Sequence, residues 1–154
     1  MSNPKQDFIA AFKSKYPALS ISSDETDTKK ISIIAMAENI LDIALVLRDS
    51  FGFIYPNACG AVDYPNENRI QLIYYLINPN DNLQLFLRID ITRNDPRIHT
   101  LTTVWEAMSF HEREAHEMFG IDFTEHTNLV PLLLPPDWKG GYPLRKDFKG
   151  EGAE

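Results

Sequence analysis

Apolar residues near the start of the chain recur every three or four positions, which is the spacing of one face of a helix. This pattern covers residues 4–15, and it returns over residues 38–51. A third helix is predicted to begin at a capping box, in which Thr103 and Glu106 satisfy each other's backbone N–H groups. This helix is predicted to end at Gly120.

Between these helices the period changes to two, which is the spacing of the alternating faces of a strand. Strands are predicted over residues 30–36, 69–76 and 83–92, with a weaker signal over 58–64, whereas the polar stretch 20–30 is predicted to be a loop. Short, turn-rich connectors join the later strands, as in an antiparallel meander. One apolar and one polar face per strand indicate a sheet covered on a single side. The predicted fold class is therefore α+β, a two-layer domain with an antiparallel or mixed sheet covered by helices.

Beyond Gly120 the periodicity is lost, although many apolar residues remain. Residues 121–154 contain several prolines, yet they are too apolar for a disordered tail. A long segment without secondary structure that is not disordered is usually functional. We therefore divide the chain into an α+β domain, residues 1–120, and an extended partner-binding segment, residues 121–154, called here the C-terminal arm.

Composition excludes several classes of protein. The 22 acidic and 15 basic residues give a net charge of −7, which argues against a nucleic-acid binder because such proteins need cationic surfaces. Cys59 is the single cysteine, so the chain cannot supply the thiolates of an iron–sulfur cluster by itself. The sequence shows no signal peptide and no apolar run long enough to span a membrane. We expect the chain to reach a membrane only through partners.

Residues 111–116 suggest an active site, because His111 and His116 flank carboxylates as in zinc proteases. The two histidines are five residues apart, however, which separates them by about 140° around a helix. Glu112 with His116, or His111 with Glu114, could each supply two ligands, whereas a catalytic zinc takes three from the protein. A small metal-dependent hydrolase stays an alternative. The presence of Arg113 among these carboxylates favours a structural role for the segment instead. In this role Arg113 holds a carboxylate and joins the helix to the C-terminal arm.

A second candidate element is the short run Pro143-Leu144-Arg145-Lys146-Asp147. Pro143 stiffens the backbone and presents the residues that follow in a fixed direction. Arg145 and Lys146 form a cationic spot on an acidic chain, so we expect them to meet an acidic surface of a partner. A solvated tail without a partner is the alternative.

These residues together resemble the thirty-kilodalton subunit family of respiratory complex I (the C subunit of NADH dehydrogenase), which also occurs in archaeal reduced-deazaflavin dehydrogenases and membrane-bound hydrogenases. The family has a Glu-Arg-Glu helix ending in Phe-Gly, then a His-containing turn, a leucine-rich run, an acidic-Trp step and a final Pro-Leu-Arg-Lys-Asp. The matching residues here are Glu112, Arg113, Glu114, Phe119, Gly120, His126, Trp138, Pro143, Leu144, Arg145, Lys146 and Asp147. The similarity is strongest over about residues 102–148.

The resemblance implies a non-catalytic subunit in the peripheral arm of a complex I-like, membrane-associated electron-transfer oxidoreductase. Such a subunit binds no cofactor itself; iron–sulfur clusters and flavin are expected in partner subunits, and the quinone site lies among those neighbours. The implied partners are a hydrogenase-like large catalytic subunit and the terminal iron–sulfur subunit. The implied location is peripheral, at the cytoplasmic face of the cell membrane or at an organelle inner membrane. NADH, a reduced deazaflavin and ferredoxin stay open as electron donors. An adaptor unrelated to electron transfer is the remaining alternative.

Overall fold

The computed structural model describes residues 3–23 and 25–150. Its helices are α1 (Pro4–Lys15), α2 (Ile40–Asp49), which follows a 3₁₀ turn at Ala37–Asn39, and α3 (Met108–Phe119). Its strands are β1 (Ser20–Ser23), β2 (Lys30–Ala35), β3 (Tyr55–Tyr64), β4 (Arg69–Asn78), β5 (Leu83–Thr92), β6 (Arg97–His99) and β7 (Asp122–Thr124). None of the described helices is long and apolar enough to cross a membrane.

The main sheet has five strands in the order β1-β2-β5-β4-β3. Strands β3, β4 and β5 form an antiparallel meander, whereas β2 pairs with β5 in parallel. Strands β6 and β7 form a separate parallel pair. The mixed sheet and its helices confirm the predicted α+β class.

The hydrophobic core lies between one face of this sheet and the helices. Alternate residues of β4 and β5 are buried along almost their whole length, as the period of two predicts. Phe8 and Phe12 of α1, Leu47 of α2 and Met108 of α3 all belong to the same buried cluster. The three described helices therefore cover the same face of the sheet.

The prediction of a loop over residues 20–30 was wrong at its start, because residues 20–23 form β1. This strand pairs with β2 from Ser20 opposite Ile34 to Ser23 opposite Ile31. Its side chains are mostly exposed, since it lies at the edge of the sheet. The neighbouring strand, not an alternating apolar pattern, determines its conformation.

Two helix predictions also needed correction. Helix α2 begins at Ile40 rather than at residue 38, and Leu45 of its predicted apolar stripe is 36% exposed. Helix α3 begins at Met108, and Ala107 before it forms no side-chain cap, so the predicted capping box is not used. Residues 101–107 form turns instead, in which the indole N–H of Trp105 donates to the carbonyl of Phe53 at 3.0 Å.

The chain beyond α3 begins inside the domain. Ile121 and Phe123 are buried in the core, and β7 pairs with β6. From residue 125 to residue 150 the described chain contains turns but no helix or strand. The division of the chain at residue 120 stays a prediction, and the last strand of the domain ends at Thr124.

Candidate partner-binding site

Glu112, the first carboxylate of the Glu-Arg-Glu run, points into the core and is fully buried. It accepts hydrogen bonds from the N–H of Leu101 at 2.7 Å, from the Tyr74 hydroxyl at 3.3 Å and from the Thr100 hydroxyl. Burial raises the pKa of Glu112, and these three hydrogen bonds oppose the increase. All three donors are neutral groups, and through them Glu112 joins β4, the segment before α3 and α3 itself.

His126, which stands at the root of the C-terminal arm, lies beside this buried carboxylate. Its Nε2 is 3.9 Å from Glu112 and 3.4 Å from the Ser109 hydroxyl, and its Nδ1 accepts from the N–H of Asn128 at 3.0 Å. Burial lowers the pKa of His126, so the ring is neutral near pH 7. The ring therefore fixes the turn that leads from β7 into the C-terminal arm.

Arg113 and Glu117 hold the first part of the C-terminal arm, and we call their contacts with residues 130–133 the first anchor. The Arg113 guanidinium donates to the carbonyls of Val130 at 3.1 Å and Pro131 at 2.9 Å. Glu117 accepts from the backbone N–H groups of the next two residues, at 2.9 Å from the second of them. Arg113 therefore joins α3 to the C-terminal arm as predicted, but the prediction that it does so by holding a carboxylate was wrong, because its acceptors are backbone carbonyls. Charge-assisted bonds of this kind are stronger than neutral ones.

Residues 142–147 form the second anchor, at the end of α3. The N–H of Leu144 donates to the carbonyl of Met118 at 3.0 Å, and Nε of Arg145 donates to the carbonyl of Phe119 at 2.6 Å. These carbonyls belong to the last turn of a helix, which lacks partners within the helix and carries partial negative charge. The Tyr142 ring lies over Gly120, whose φ of +75° closes the helix.

The second anchor is completed by a charged cluster that joins it to the sheet. Nε of Arg93 lies 2.6 Å from the buried Asp63, and its Nη2 lies 3.0 Å from Asp147. Asp63 also accepts from the N–H of Lys146 at 2.9 Å. The Arg93 guanidinium lowers the pKa of Asp63. Sequence reasoning missed Asp63 and Arg93, because no local pattern links residues so far apart in the chain.

The first anchor holds the C-terminal arm through its peptide groups, whereas the second also uses the side chains of Tyr142, Arg145 and Asp147. Val130, Leu133, Tyr142 and Leu144 are between 44% and 62% exposed, and Phe110 on the neighbouring surface of α3 is 62% exposed. Exposed apolar side chains grouped in this way mark protein interaction sites.

Trp138 lies between the two anchors and shapes a tight loop. Its indole N–H donates to the carbonyl of Gly141 at 2.7 Å, and its ring packs so closely on Gly140 that an added Cβ would lie 2.6 Å away. The ring centroid is 6.2 Å from that of Phe148. Trp138 thus orders the loop between the anchors.

The residues considered for a metal site are separated in the structure. Glu112 lies in the core, Glu114 is exposed, and Nδ1 of His116 lies 2.8 Å from the carbonyl of Ile121. Within residues 3–23 and 25–150, no three His, Cys, Asp or Glu side chains form a group that could hold a metal ion. The polar side chains of residues 111–116 therefore point in different directions: Glu112 into the core, Glu114 into solvent and His116 towards the end of the helix.

The arrangement defines a class of protein: a small α+β domain whose last helix carries an extended arm on its surface. Two comparisons with sequences identify the class. The family model described as "Respiratory-chain NADH dehydrogenase, 30 Kd subunit" matches residues 33–154. The C subunit of the NADH-quinone oxidoreductase of Roseiflexus sp. (strain RS-1) is 39% identical over 122 residues, which cover 76% of this chain and 68% of that protein. The chain therefore belongs to the thirty-kilodalton subunit family of respiratory complex I, as the resemblance predicted.

Relatives and solved structures agree with this assignment. The C subunit of the F(420)H(2) dehydrogenase of Methanosarcina mazei is 32% identical over 109 residues, covering 71% of this chain and 69% of that protein. A chain of the membrane-bound sulfane sulfur reductase, an archaeal respiratory membrane complex, superimposes with a TM-score of 0.85 at 25% identity, covering 93% of this chain and 84% of that one. The trypsin-resistant fragment of Nqo5 superimposes with a TM-score of 0.66 at 23% identity, covering 79% and 98%, and supports the fold.

Proposed function

We propose that this chain is a non-catalytic peripheral-arm subunit of a complex I-like, membrane-associated electron-transfer oxidoreductase. It scaffolds a hydrogenase-like large catalytic subunit next to the terminal iron–sulfur subunit. In this proposal the redox centres, flavin and quinone site belong to the partners. The chain itself stays peripheral, at the cytoplasmic face of the membrane. Membership of the family and the similarity to a chain of a respiratory membrane complex support this role.

The observation that carries the proposal is the C-terminal arm, in which several apolar side chains are exposed although two anchors hold the segment on the domain. Val130 and Leu133 belong to the first anchor, and Leu144 belongs to the second. Because the anchors fix the peptide groups in advance, a partner that covers these side chains does not have to order the segment when it binds. A pre-ordered apolar ridge suits a scaffold that binds its partners permanently, since such interfaces are rich in apolar contacts.

Affinity purification of the complex through a tag on this chain tests the proposal. The experiment compares the wild-type chain with Leu133→Glu and with Ile54→Glu, a control at an apolar residue that is 50% exposed outside the C-terminal arm. We expect Leu133→Glu to lower the recovery of the hydrogenase-like and iron–sulfur subunits about tenfold, since a central apolar contact contributes at least about 1–2 kcal/mol. Ile54→Glu should leave their recovery unchanged.

Two results would contradict the proposal. If the wild-type chain co-purifies with no redox subunit, its assignment as a subunit of such a complex is wrong. If Leu133→Glu recovers the redox subunits at the wild-type level, the C-terminal arm is not their binding surface. Urea unfolding of each isolated variant checks that the domain remains folded, which we expect because residue 133 points into solvent.

A further inference from the structure

The face of the main sheet opposite the three helices is unusually apolar at its centre. Tyr75 of β4 and Phe86 of β5 are paired in register, with stacked rings whose centroids are 4.8 Å apart. Ile34 of β2 and Ile73 of β4 lie in the neighbouring row, on either side of Arg88. The outer face of a solvated antiparallel sheet is normally polar. These residues, which we call the open face, depart from that pattern.

Arg88 stands in the middle of the open face without an anionic partner. Its Nε donates to the Ser32 hydroxyl at 2.9 Å and its Nη1 to the Gln71 side-chain carbonyl at 3.3 Å, and both acceptors are neutral. Among the described residues Arg88 forms no ion pair, whereas Arg69 at the rim of the same face pairs with Asp90 at 3.0 Å. The guanidinium of Arg88 is therefore held in a fixed orientation, and the Asp90 carboxylate is connected to it only through the Gln71 side chain.

We propose that the open face is a second protein interface, which binds a partner segment carrying a carboxylate flanked by apolar side chains. Arginine beside tyrosine and other aromatic residues is typical of residues that contribute most to binding. Since Ser32 and Gln71 already orient Arg88, little side-chain entropy is lost when a carboxylate binds its remaining N–H groups. The stacked rings and Ile34 then cover the apolar flanks of the segment.

Charge also favours a carboxylate-bearing partner segment over a nucleic acid or a second copy of the chain. A net charge of −7 disfavours a nucleic acid, although stacked rings could receive bases. A second copy of the chain, docked with two-fold symmetry on this face, would bring the two Arg88 side chains towards each other. The interface goes beyond the proposed function of the C-terminal arm, because the first anchor lies on α3, on the helix-covered side of the sheet.

Site-specific photo-crosslinking in the assembled complex tests this interface. A photoreactive amino acid replaces Ile73 in the full chain, and the cross-linked peptide is identified by mass spectrometry. We expect one partner peptide that contains Asp or Glu among apolar residues. Arg88→Glu should lower its yield about tenfold, which corresponds to about 1.4 kcal/mol, since arginine is among the residue types that contribute most to binding. The same substitution at Arg97, an exposed residue of β6, should leave the yield unchanged.

Several results would overturn the proposal: no cross-link, a cross-link to a second copy or to nucleic acid, or an equal yield from Arg88→Glu. Arg88→Gln, which keeps a polar side chain beside Ser32, replaces Arg88→Glu if urea unfolding shows that the charge reversal disturbs the domain. If cross-linking fails while the redox subunits still co-purify through the C-terminal arm, only the second interface is refuted.

Discussion

Replacing Gly120 by alanine probes how the C-terminal arm is fixed to the end of α3. Gly120 has a φ of +75°, and this left-handed conformation costs a residue with a Cβ about 1–2 kcal/mol. The new Cβ would also lie 2.5 Å from Cζ of Tyr142, so the ring has to move. That movement disturbs the stacking of Arg145 on the ring, now at 4.8 Å, and overpacking of this kind costs about 1–3 kcal/mol. We expect the free energy of unfolding to fall by about 2–5 kcal/mol.

Gly141→Ala is a matched control for this experiment. Its φ is +84°, but nothing lies within 4 Å of an added Cβ, so only the conformational cost of about 1–2 kcal/mol applies. Urea unfolding of both glycine variants, of Tyr142→Ala and of the double variant Gly120→Ala with Tyr142→Ala separates the two contributions. The double variant should lose less than the sum of the two single losses. Equal losses for the two glycine variants would refute the argument that Tyr142 constrains residue 120.

Three further predictions concern the buried carboxylates. Burial raises the pKa of Glu112, so the wild type should lose stability relative to Glu112→Gln as the pH rises from about 4.5 through the folded-state pKa. The free energies of unfolding of both proteins are measured in urea from pH 4 to 8. A constant difference between them across this range would refute the prediction. Glu117→Gln should weaken the first anchor by about 1–3 kcal/mol and speed tryptic cleavage at Lys139, and an unchanged digestion rate would contradict it. Asp63→Ala should destabilise the domain by about 3 kcal/mol in urea, because it leaves Arg93 with Asp147 alone; a loss below about 1 kcal/mol would show that the cluster contributes little.

The fold was predictable from the sequence wherever burial alone determines the conformation. Strand β5 was predicted over its full length, because every second residue is buried in the core and is therefore apolar in the sequence. Strand β1 was missed because its side chains are exposed and its pairing with β2 is a tertiary contact. The start of α3 was misplaced because Glu112 and Phe53 hold the preceding residues in turns, which overrides the local capping signal of Thr103.

The candidate site was predictable as a set of residues but not as a set of contacts. The family resemblance included Arg113 and Arg145. The position of Arg113 among the carboxylates of residues 111–116 suggested that it joins α3 to the C-terminal arm. The acceptors of both arginines are backbone carbonyls, which every residue carries, so no side-chain pattern could reveal them. Asp63 is 83 residues from Lys146, and only the folded chain brings their groups together.

A segment fastened by its peptide groups can change its side chains at little cost to its own domain. Substitution of Leu133 leaves the two hydrogen bonds accepted by Glu117 in place, because they involve only main-chain N–H groups. In the proposed role of the C-terminal arm, selection can therefore alter which subunits the chain binds without a compensating change in the core. Related chains that serve different respiratory complexes could share one domain and diverge at a handful of outward positions. If the C-terminal arm binds the partners as proposed, substitutions within residues 130–134 should redirect the chain from one complex towards another.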